Sequence, residues 1–156
     1  LIQQVAQQTQ ERLRFHIEDL VQAGLDTCFP DLTFRIAFEV KRNQTEGRTY
    51  FERDGQEVAP MTGSGGGALD IAAFALRLAA WSLSRTAPLV VFDEPFKFLS
   101  ADLQPRAAEI LRELSRKLGV QVIMVTHQAE MIAAADLVYE VHMRKDGVSV
   151  VTKEVE

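Results

Sequence analysis

Residues 89–95 read Leu-Val-Val-Phe-Asp-Glu-Pro, and this stretch decides how the chain is expected to fold. The unbroken apolar run is typical of a strand in a parallel sheet that is covered on both faces. Asp93 and Glu94 follow the strand, at the end where open α/β sheets bind their ligands. There Asp93 can hold Mg²⁺ through water, and Glu94 can orient or deprotonate an attacking water. A solvated acidic turn is the alternative for this pair taken alone.

A second apolar strand is predicted over residues 120–126, and His127 follows it. A His at the carboxyl end of a strand can donate a hydrogen bond to a phosphate oxygen, and its charge is adjustable near neutral pH. A structural role is the alternative for a lone His. Between the two strands, residues 103–118 are predicted to form a helix that Gly119 ends. This alternation of strands and helices predicts an α/β fold with parallel strands and flanking helices.

Upstream of these strands, residues 63–67 read Gly-Ser-Gly-Gly-Gly and lead into a long apolar helix that is predicted to end at Ser84. Backbone N–H groups at a helix start, the helix dipole and the Ser64 hydroxyl together make a site for phosphate oxygens. A flexible linker has a similar composition. The glycines abut a helix and do not separate two folded units, which favours the phosphate site.

The first third of the chain has a different pattern. Residues 1–25 are predicted to form a helix with polar first turns and a later apolar stripe, either a stalk or an ordinary amphipathic surface helix. From Thr33 onward apolar residues alternate, which predicts antiparallel strands separated by turns at residues 43–47 and 54–55. A last hairpin is predicted over residues 137–153. Five basic side chains form either a DNA-facing patch or, the favoured interpretation, a solvated sheet face: Arg35, Lys41, Arg42, Arg48 and Arg53.

The composition is that of an ordinary globular domain. The chain has 156 residues, 47% of them hydrophobic, with 17 Lys and Arg against 22 Asp and Glu, a formal net charge of −5. This acidic balance argues against a protein that coats nucleic acid by bulk charge. The single Cys28 fits a reducing compartment. The most apolar stretch, residues 71–83, contains Arg77 and is shorter than the roughly 20 residues that a bilayer needs. The chain opens with Leu1 and without a signal-peptide pattern, so we expect a fragment of a longer protein.

Taken in order, these segments resemble the C-terminal half of an ABC-type ATPase head, specifically in the SMC-like and double-strand-break-repair ATPases, whose heads are split by a long coiled coil. Residues 64–66 are similar to the core of the ABC signature, and residues 89–95 to Walker B with its catalytic Glu. Residues 98–100 lie where the D-loop would be, and residues 125–127 resemble the switch-histidine segment. Four motifs in the right order are much more specific than any one of them.

The resemblance implies a role for each site residue. Asp93 would help to hold Mg²⁺ through water, Glu94 would activate the hydrolytic water, and His127 would contact the γ-phosphate of ATP. The signature would bind ATP on the opposite head, in trans, and the D-loop would serve communication across the head dimer. These last two segments contain Ser64, Gly65 and Gly66 in the signature and Leu99 and Ser100 in the D-loop.

The sequence departs from the family pattern at four points. Gly63 replaces the usual Leu before the signature Ser, and Gly67 stands where Gln, Glu or Lys is typical. Ser100 occupies the D-loop position that usually holds Asp. The chain also contains no Gly-x-x-x-x-Gly-Lys-[Ser/Thr] Walker A pattern, which lies in an N-terminal lobe in such families.

The resemblance therefore implies a stalk helix at residues 1–25 and a C-terminal ATPase lobe at residues 26–156. Its implied partners are the Walker A lobe of the same protein, a second head, DNA and a nuclease subunit, in the cytoplasm at the nucleoid and without a membrane. The chain alone is expected to be inactive. Two alternatives stay open: a fragment of a transporter-type ATP-binding subunit, and a non-catalytic assembly module that kept the ATPase fold.

Overall fold

The structure is a computed structural model that describes residues 2–41, 44–59, 63–84 and 87–154. In chain order its elements are α1 (Ile2–Cys28), β1 (Thr33–Lys41), β2 (Gln44–Arg53), β3 (Gln56–Val58), α2 (Gly66–Ser84), β4 (Leu89–Asp93), α3 (Gln104–Leu118), β5 (Gln121–Val125), α4 (Ala129–Ala133), β6 (Tyr139–Met143) and β7 (Ser149–Lys153). Strands β1, β2 and β3 form an antiparallel sheet, β4 and β5 a parallel pair, and β6 and β7 a hairpin. The predicted α/β fold is confirmed.

The core lies around α2, which packs between α1 and the β4 strand. Ile71 and Phe74 of this helix have no exposed surface. The Phe74 ring centroid lies 4.9 Å from that of Phe92 in β4 and 5.1 Å from that of Phe96 in the following turn. On the α1 side, a Cβ added to Gly24 would lie 3.1 Å from Cγ2 of Ile71. The missing side chain therefore allows α1 and α2 to approach closely.

Two side chains of α1 cap the outer edge of β1. The N–H of Ile36 donates to Oε1 of Glu18 at 2.7 Å, and the N–H of Phe34 donates to Oε1 of Gln22 at 2.9 Å. Nε2 of Gln22 in turn donates to the carbonyl of Leu32 at 3.0 Å. An edge strand otherwise presents unpaired N–H and C=O groups. The helix therefore satisfies the strand edge and fixes the position of α1 against the sheet.

The β4–β5 sheet buries one face and exposes the other. Phe92 is buried on the inner face, whereas Val91 and Ile123 on the outer face are 63% and 46% exposed. Leu89 and Val125 are exposed on the same face. The prediction that these apolar strands are fully buried is therefore wrong for one face, since none of the described residues covers it. Parallel sheets occur almost always with both faces covered.

The β6–β7 hairpin has the same character. Tyr139, Val141 and Met143 alternate along β6, and all three are exposed. Val141 pairs with Val151 of β7, which is exposed as well. Gly147, with φ of 80°, forms the predicted turn. The hairpin thus presents an apolar surface that packs against no other described element of the chain.

Two sequence-based expectations need correction. The turn predicted at residues 43–47 is shorter, because the antiparallel ladder of β1 and β2 extends to the pair Lys41 and Gln44 and includes Gly47 opposite Phe38; Asn43 itself lies outside the described residues. The apolar stretch at residues 71–83, which was expected to be too short for a bilayer, lies within α2, which ends at Ser84 as predicted. With 19 residues and a mean hydropathy of 1.3, it has the length and composition to cross a membrane, which the core helices of soluble proteins also have.

Candidate functional site

The acidic pair lies at the carboxyl end of β4. Asp93 is the last residue of the strand and is exposed, and Glu94 begins the turn that follows. Glu94 has a φ of 45°, a left-handed conformation that costs a non-glycine residue about 1–3 kcal/mol. Its N–H donates to the carbonyl of Val125 at 2.9 Å. This bond holds Glu94 beside the carboxyl end of β5, where the switch-histidine segment begins.

Both carboxylate oxygens of Glu94 have hydrogen-bond partners. Nδ1 of His127 lies 2.8 Å from Oε1, and Oγ1 of Thr126 donates to Oε2 at 3.4 Å. Because an ionised carboxylate only accepts, the His ring presents its Nδ1–H to Glu94, and Nε2 is available to another partner. The His127 side chain is 83% exposed and that of Glu94 is 29% exposed. The structure therefore brings Asp93, Glu94 and His127 to one edge of the parallel sheet.

Gln128 connects the same two segments beneath the carboxylate. Its side chain is buried, and its Nε2 donates to the carbonyl of Phe96 at 2.8 Å. Its own N–H donates to Oγ1 of Thr126 at 3.2 Å. Its carbonyl accepts the first N–H groups of α4, from Met131 and Ile132. One residue thus joins the turn after β4, the hydroxyl of Thr126 and the start of a helix.

The glycine-rich segment lies against the D-loop segment. Gly65 has a φ of 82°, and α2 begins at Gly66. A Cβ on Gly66 would lie 2.9 Å from Cβ of Phe98, and one on Gly67 would lie 2.9 Å from Cδ1 of Leu99. Real Cβ atoms almost never come so close, so a side chain at either position requires its neighbour to move. Gly66 and Gly67 are therefore packed, which argues against a flexible linker at these two positions.

A hydrogen bond ties this helix start to the D-loop segment. The N–H of Phe98 donates to Oδ2 of Asp70 at 2.7 Å. Burial raises the pKa of Asp70, an effect that the bond to Phe98 and the charges of Lys97 and Arg77 oppose. The Phe98 ring is 66% exposed, and Nζ of Lys97 lies 5.1 Å from its centroid. Of the two predicted D-loop residues, Leu99 is buried and Ser100 is exposed.

Ser64 is buried just before the helix, and the residue that precedes it is tethered to the antiparallel sheet. Nη1 of Arg53, the last residue of β2, donates to the carbonyl of Gly63 at 3.1 Å. Nε of the same side chain pairs with Oδ2 of Asp31 at 2.7 Å. The position of the glycine-rich segment therefore depends on β2 as well as on α2.

The basic residues of the antiparallel sheet are paired with carboxylates. Arg35 contacts Glu52 at 3.2 Å, and Arg48 donates two hydrogen bonds to Glu57, at 2.5 and 3.0 Å. The hydrogen bonds from Arg48 lower the pKa of Glu57. Arg53 pairs with Asp31, as described above, and the side chains of Lys41 and Arg42 lie outside the described residues. The pairing supports a solvated sheet face over a DNA-facing patch.

The acidic residues offer few ligands for a magnesium ion. No group of three His, Cys, Asp or Glu side chains in the described residues is arranged to hold a metal ion. Mg²⁺, however, usually binds through one or two carboxylates together with substrate phosphates and waters. Asp93 offers one exposed carboxylate at the end of β4. The residues present therefore fit Mg²⁺ that arrives with a nucleotide and do not fit a site built from protein alone.

Sequence reasoning missed two polar residues that organise this region. Asp70 is the one acidic residue in the apolar helix α2, one turn after its glycines, and that isolation was a usable signal. Gln128 carries no comparable signal, because a glutamine after a strand is ordinary until its partner is known. Its bond to Phe96 joins residues 32 positions apart.

Comparison with known proteins places this geometry in context. Residues 6–133 match the family described as "AAA domain, putative AbiEii toxin, Type IV TA system". The DNA double-strand break repair Rad50 ATPase of Thermoplasma volcanium is 42% identical over 89 residues, which are 55% of this chain and 10% of that protein. That of Sulfurisphaera tokodaii is 30% identical over 151 residues, 87% of this chain and 17% of that protein. The chain thus spans between 10% and 17% of the length of these relatives.

A shorter match concerns a different class of protein. The Fe(3+) ions import ATP-binding protein FbpC of Pasteurella multocida is 40% identical over 58 residues, 36% of this chain and 17% of that protein.

Solved structures share the fold. The Smc head bound to the C-winged helix domain of ScpA has a TM-score of 0.74 at 25% identity, over 97% of this chain and 45% of that one. A chain from work on ATP-driven dimerization and DNA-stimulated activation of SMC ATPases has a TM-score of 0.72 at 24% identity, over 95% of this chain and 89% of that one. The chain therefore has the fold of SMC ATPase head domains.

Proposed function

The chain belongs to the AAA domain family that matches residues 6–133 and is a region of an SMC- and Rad50-like ATPase head, and from this premise we propose that it is the C-terminal lobe of a split head. In this proposal residues 1–25 form the end of a coiled-coil stalk and residues 26–156 form the lobe. Burial supports such a division, since Val21 and Leu25 near the end of α1 lie in the core whereas Val5 near its start is exposed.

One observation carries the proposal: Glu94 and His127 are hydrogen-bonded at the carboxyl ends of two paired parallel strands, directly after Asp93. This edge is where open α/β sheets bind ligands. A carboxylate held in a fixed orientation can accept a proton from an attacking water, and an imidazole beside it can hydrogen-bond a phosphate oxygen. The arrangement therefore suits hydrolysis of ATP by the complete head.

Each site residue has a role in this proposal. Glu94 orients the hydrolytic water and accepts its proton, and Asp93 holds Mg²⁺ through water. His127 donates Nε2–H to the γ-phosphate in the form that carries a proton on both ring nitrogens, because its Nδ1–H is given to Glu94. Mg²⁺, when bound, offsets the negative charge of the phosphates. The remaining residues act at the contact with a second head, in trans for the signature: Ser64, Gly65 and Gly66 of the signature, and Leu99 and Ser100 of the D-loop.

The exposed face of the β4–β5 sheet supports a missing Walker A lobe. Val91 and Ile123 lie on an apolar surface of a kind that proteins normally cover. The chain also has no Walker A pattern, so the Lys and the backbone amides that cradle the phosphates must come from another segment. We assign both functions, covering the sheet and binding the phosphates, to the N-terminal lobe of the same protein.

The wider setting follows from the named relatives. DNA double-strand break repair by the Rad50 ATPases, and DNA-stimulated activation in the SMC work, suggest DNA as a partner of the complete protein. A nuclease subunit and a cytoplasmic, nucleoid-associated location belong to the same proposal. A transporter subunit is less well supported, because the match to the iron import protein covers 36% of the chain and that to the Sulfurisphaera protein covers 87%.

The test compares the chain alone with the chain combined with the Walker A lobe of its own protein. The chain alone is expected to show no ATPase activity and no ATP binding at millimolar concentration. The carboxylates of Asp93 and Glu94 repel the ATP phosphates, and the chain lacks the Walker A groups that would offset this repulsion. Addition of the Walker A lobe should produce turnover. Glu94→Gln should then lower the turnover at least roughly a hundredfold without loss of ATP affinity.

Glu109→Gln, on the exposed face of α3, is the matched control and should leave turnover unchanged. An unchanged single-turnover rate in Glu94→Gln would remove Glu94 from the catalytic role. Tight, Mg²⁺-dependent binding of ATP to the chain alone would show that the site is built differently.

A further inference from the structure

The loop between β5 and α4 provides a second hydrogen-bond donor to the Glu94 carboxylate, in addition to His127. His127 contacts Oε1, and a second donor at Oε2 adds resistance to rotation of the carboxylate. Oγ1 of Thr126 is that donor, at 3.4 Å. A carboxylate with a donor at each oxygen resists rotation about its terminal bond, yet each oxygen keeps a lone pair for water.

The hydroxyl of Thr126 is itself oriented. It has one proton and two lone pairs, and the N–H of Gln128 donates to the oxygen at 3.2 Å. The hydroxyl must therefore accept from Gln128, which leaves its proton for Oε2 of Glu94. Donor and acceptor counts thus fix the direction of the chain of bonds from Gln128 through Thr126 to the carboxylate.

Gln128 links this series of hydrogen bonds to the turn that carries Glu94. Its buried Nε2 donates to the carbonyl of Phe96, two residues after Glu94. This bond and the bond from Glu94 N–H to the Val125 carbonyl hold the turn on both sides of Glu94, which has a left-handed conformation. Strained conformations persist when the surroundings over-determine them. Without these bonds the backbone at Glu94 would have a lower-energy alternative.

We propose that Thr126 and Gln128 are positioning residues for ATP hydrolysis: Thr126 fixes the orientation of the Glu94 carboxylate, and Gln128 fixes both Thr126 and the turn that carries Glu94. The inference rests on the proposed function, since it assigns a task to Glu94. In the proposed arrangement neither residue contacts the nucleotide. Their removal should therefore lower kcat and leave KM unchanged, because substrate binding does not depend on them.

The experiment measures steady-state ATP hydrolysis by the chain combined with its Walker A lobe. Thr126→Val keeps the shape and removes the hydroxyl, and it should lower kcat about tenfold, since small misplacements of a catalytic group have effects of this size or larger. Thr126→Ser restores the hydroxyl and should return kcat to within about twofold of the parent, since the proton donor is again present. Thr152→Val, in the exposed strand β7, is the control and should have no effect.

Gln128→Met removes the side-chain donor at similar length. Both residues act through Glu94. The fold-loss of kcat in the double variant Thr126→Val, Gln128→Met should therefore be smaller than the product of the fold-losses in the two single variants. Thermal unfolding of each variant accompanies the kinetics, so that a loss of folded protein is distinguished from a loss of orientation.

The outcomes separate this inference from the proposed function. If Glu94→Gln keeps its turnover, the proposed function itself fails. If Glu94→Gln is inactive while Thr126→Val turns over like the parent, only the positioning inference is overturned. Equal losses in Thr126→Val and Thr126→Ser would also overturn it, because the hydroxyl would then not be the group that matters.

Discussion

The helices α1, α2 and α3 bury their apolar faces against one another, whereas the β4–β5 and β6–β7 sheets each leave one apolar face exposed. In the first region Ile71 and Phe74 have no exposed surface. In the second, Val91 and Val141 are more than 60% exposed. The difference shows that apolar character in a sequence predicts that a face will be covered and does not predict by what. In the open region none of the described residues covers the apolar face.

The largest expected effect comes from truncating the same kind of side chain in the two regions. Phe74→Ala removes a ring packed on Phe92 and Phe96, and it should lower the free energy of unfolding by about 3–5 kcal/mol. Val91→Ala on the open sheet face should change it by no more than about 0.5 kcal/mol. Urea unfolding of the chain measures both. A comparable loss in Val91→Ala would mean that the face is covered in solution, which a dependence on protein concentration would reveal.

A smaller effect is expected from glutamines with different surroundings. Gln22→Leu leaves the N–H of Phe34 and the carbonyl of Leu32 without the partners they have now, which should cost about 1–3 kcal/mol. Gln121→Leu, on the exposed side of β5 in the open region, should stay within about 0.5 kcal/mol. The same urea experiment applies. If the two variants were equally stable, water would be replacing the cap at the edge of β1.

The smallest effect concerns the pH dependence at Asp70, which lies where the two regions meet. Its pKa is raised above 3.8 in the folded chain, mainly by burial, so the folded state binds more protons than the unfolded state above that pH. Stability should therefore fall as the pH rises through the interval between the unfolded and folded pKa values. Asp70→Asn keeps an oxygen for the N–H of Phe98 and removes the titration, so its stability curve should be flatter there.

Asp70→Ala is the companion variant for that experiment. It also removes the titration, but it loses the hydrogen bond to Phe98, so it should be less stable than Asp70→Asn at every pH. Thermal unfolding between pH 4 and pH 7 compares the three proteins. A slope in Asp70→Asn as steep as in the parent would assign the pH dependence to another group.

Local chemistry was readable from the sequence where a residue acts on its own neighbours. The proline near the start of α3 and Gly119 at its end bounded that helix correctly, and Gly119 has the expected left-handed φ of 64°. Asp54 and Gly55 likewise form the turn between β2 and β3 with positive φ angles. These signals involve conformational preferences of single residues, which do not depend on the rest of the fold.

Contacts between distant segments were not readable in the same way. The Asp70 bond to Phe98 spans 28 positions, and a sequence gives no distance between the two. The closeness of Glu94 and His127 was foreseeable because parallel strands align their carboxyl ends, but the Thr126 hydroxyl as a second donor was not. Which side of a sheet is covered also depends on residues in distant segments, and for β4 and β5 the prediction of full burial was wrong on one face.

The cap that α1 places on β1 has a built-in length limit. Four residues of helix advance about 6.0 Å, whereas two residues of strand advance about 6.4–6.8 Å. The helix and strand positions that face each other therefore move out of register with every repeat. Glu18 pairs with Ile36 and Gln22 with Phe34, where the helix and strand spacings still match. Each further step adds roughly half an ångström of mismatch, which soon exceeds the narrow distance range of a hydrogen bond. A helix of any length can therefore cap the strand over only a few residues, and the rest of the helix extends beyond the strand.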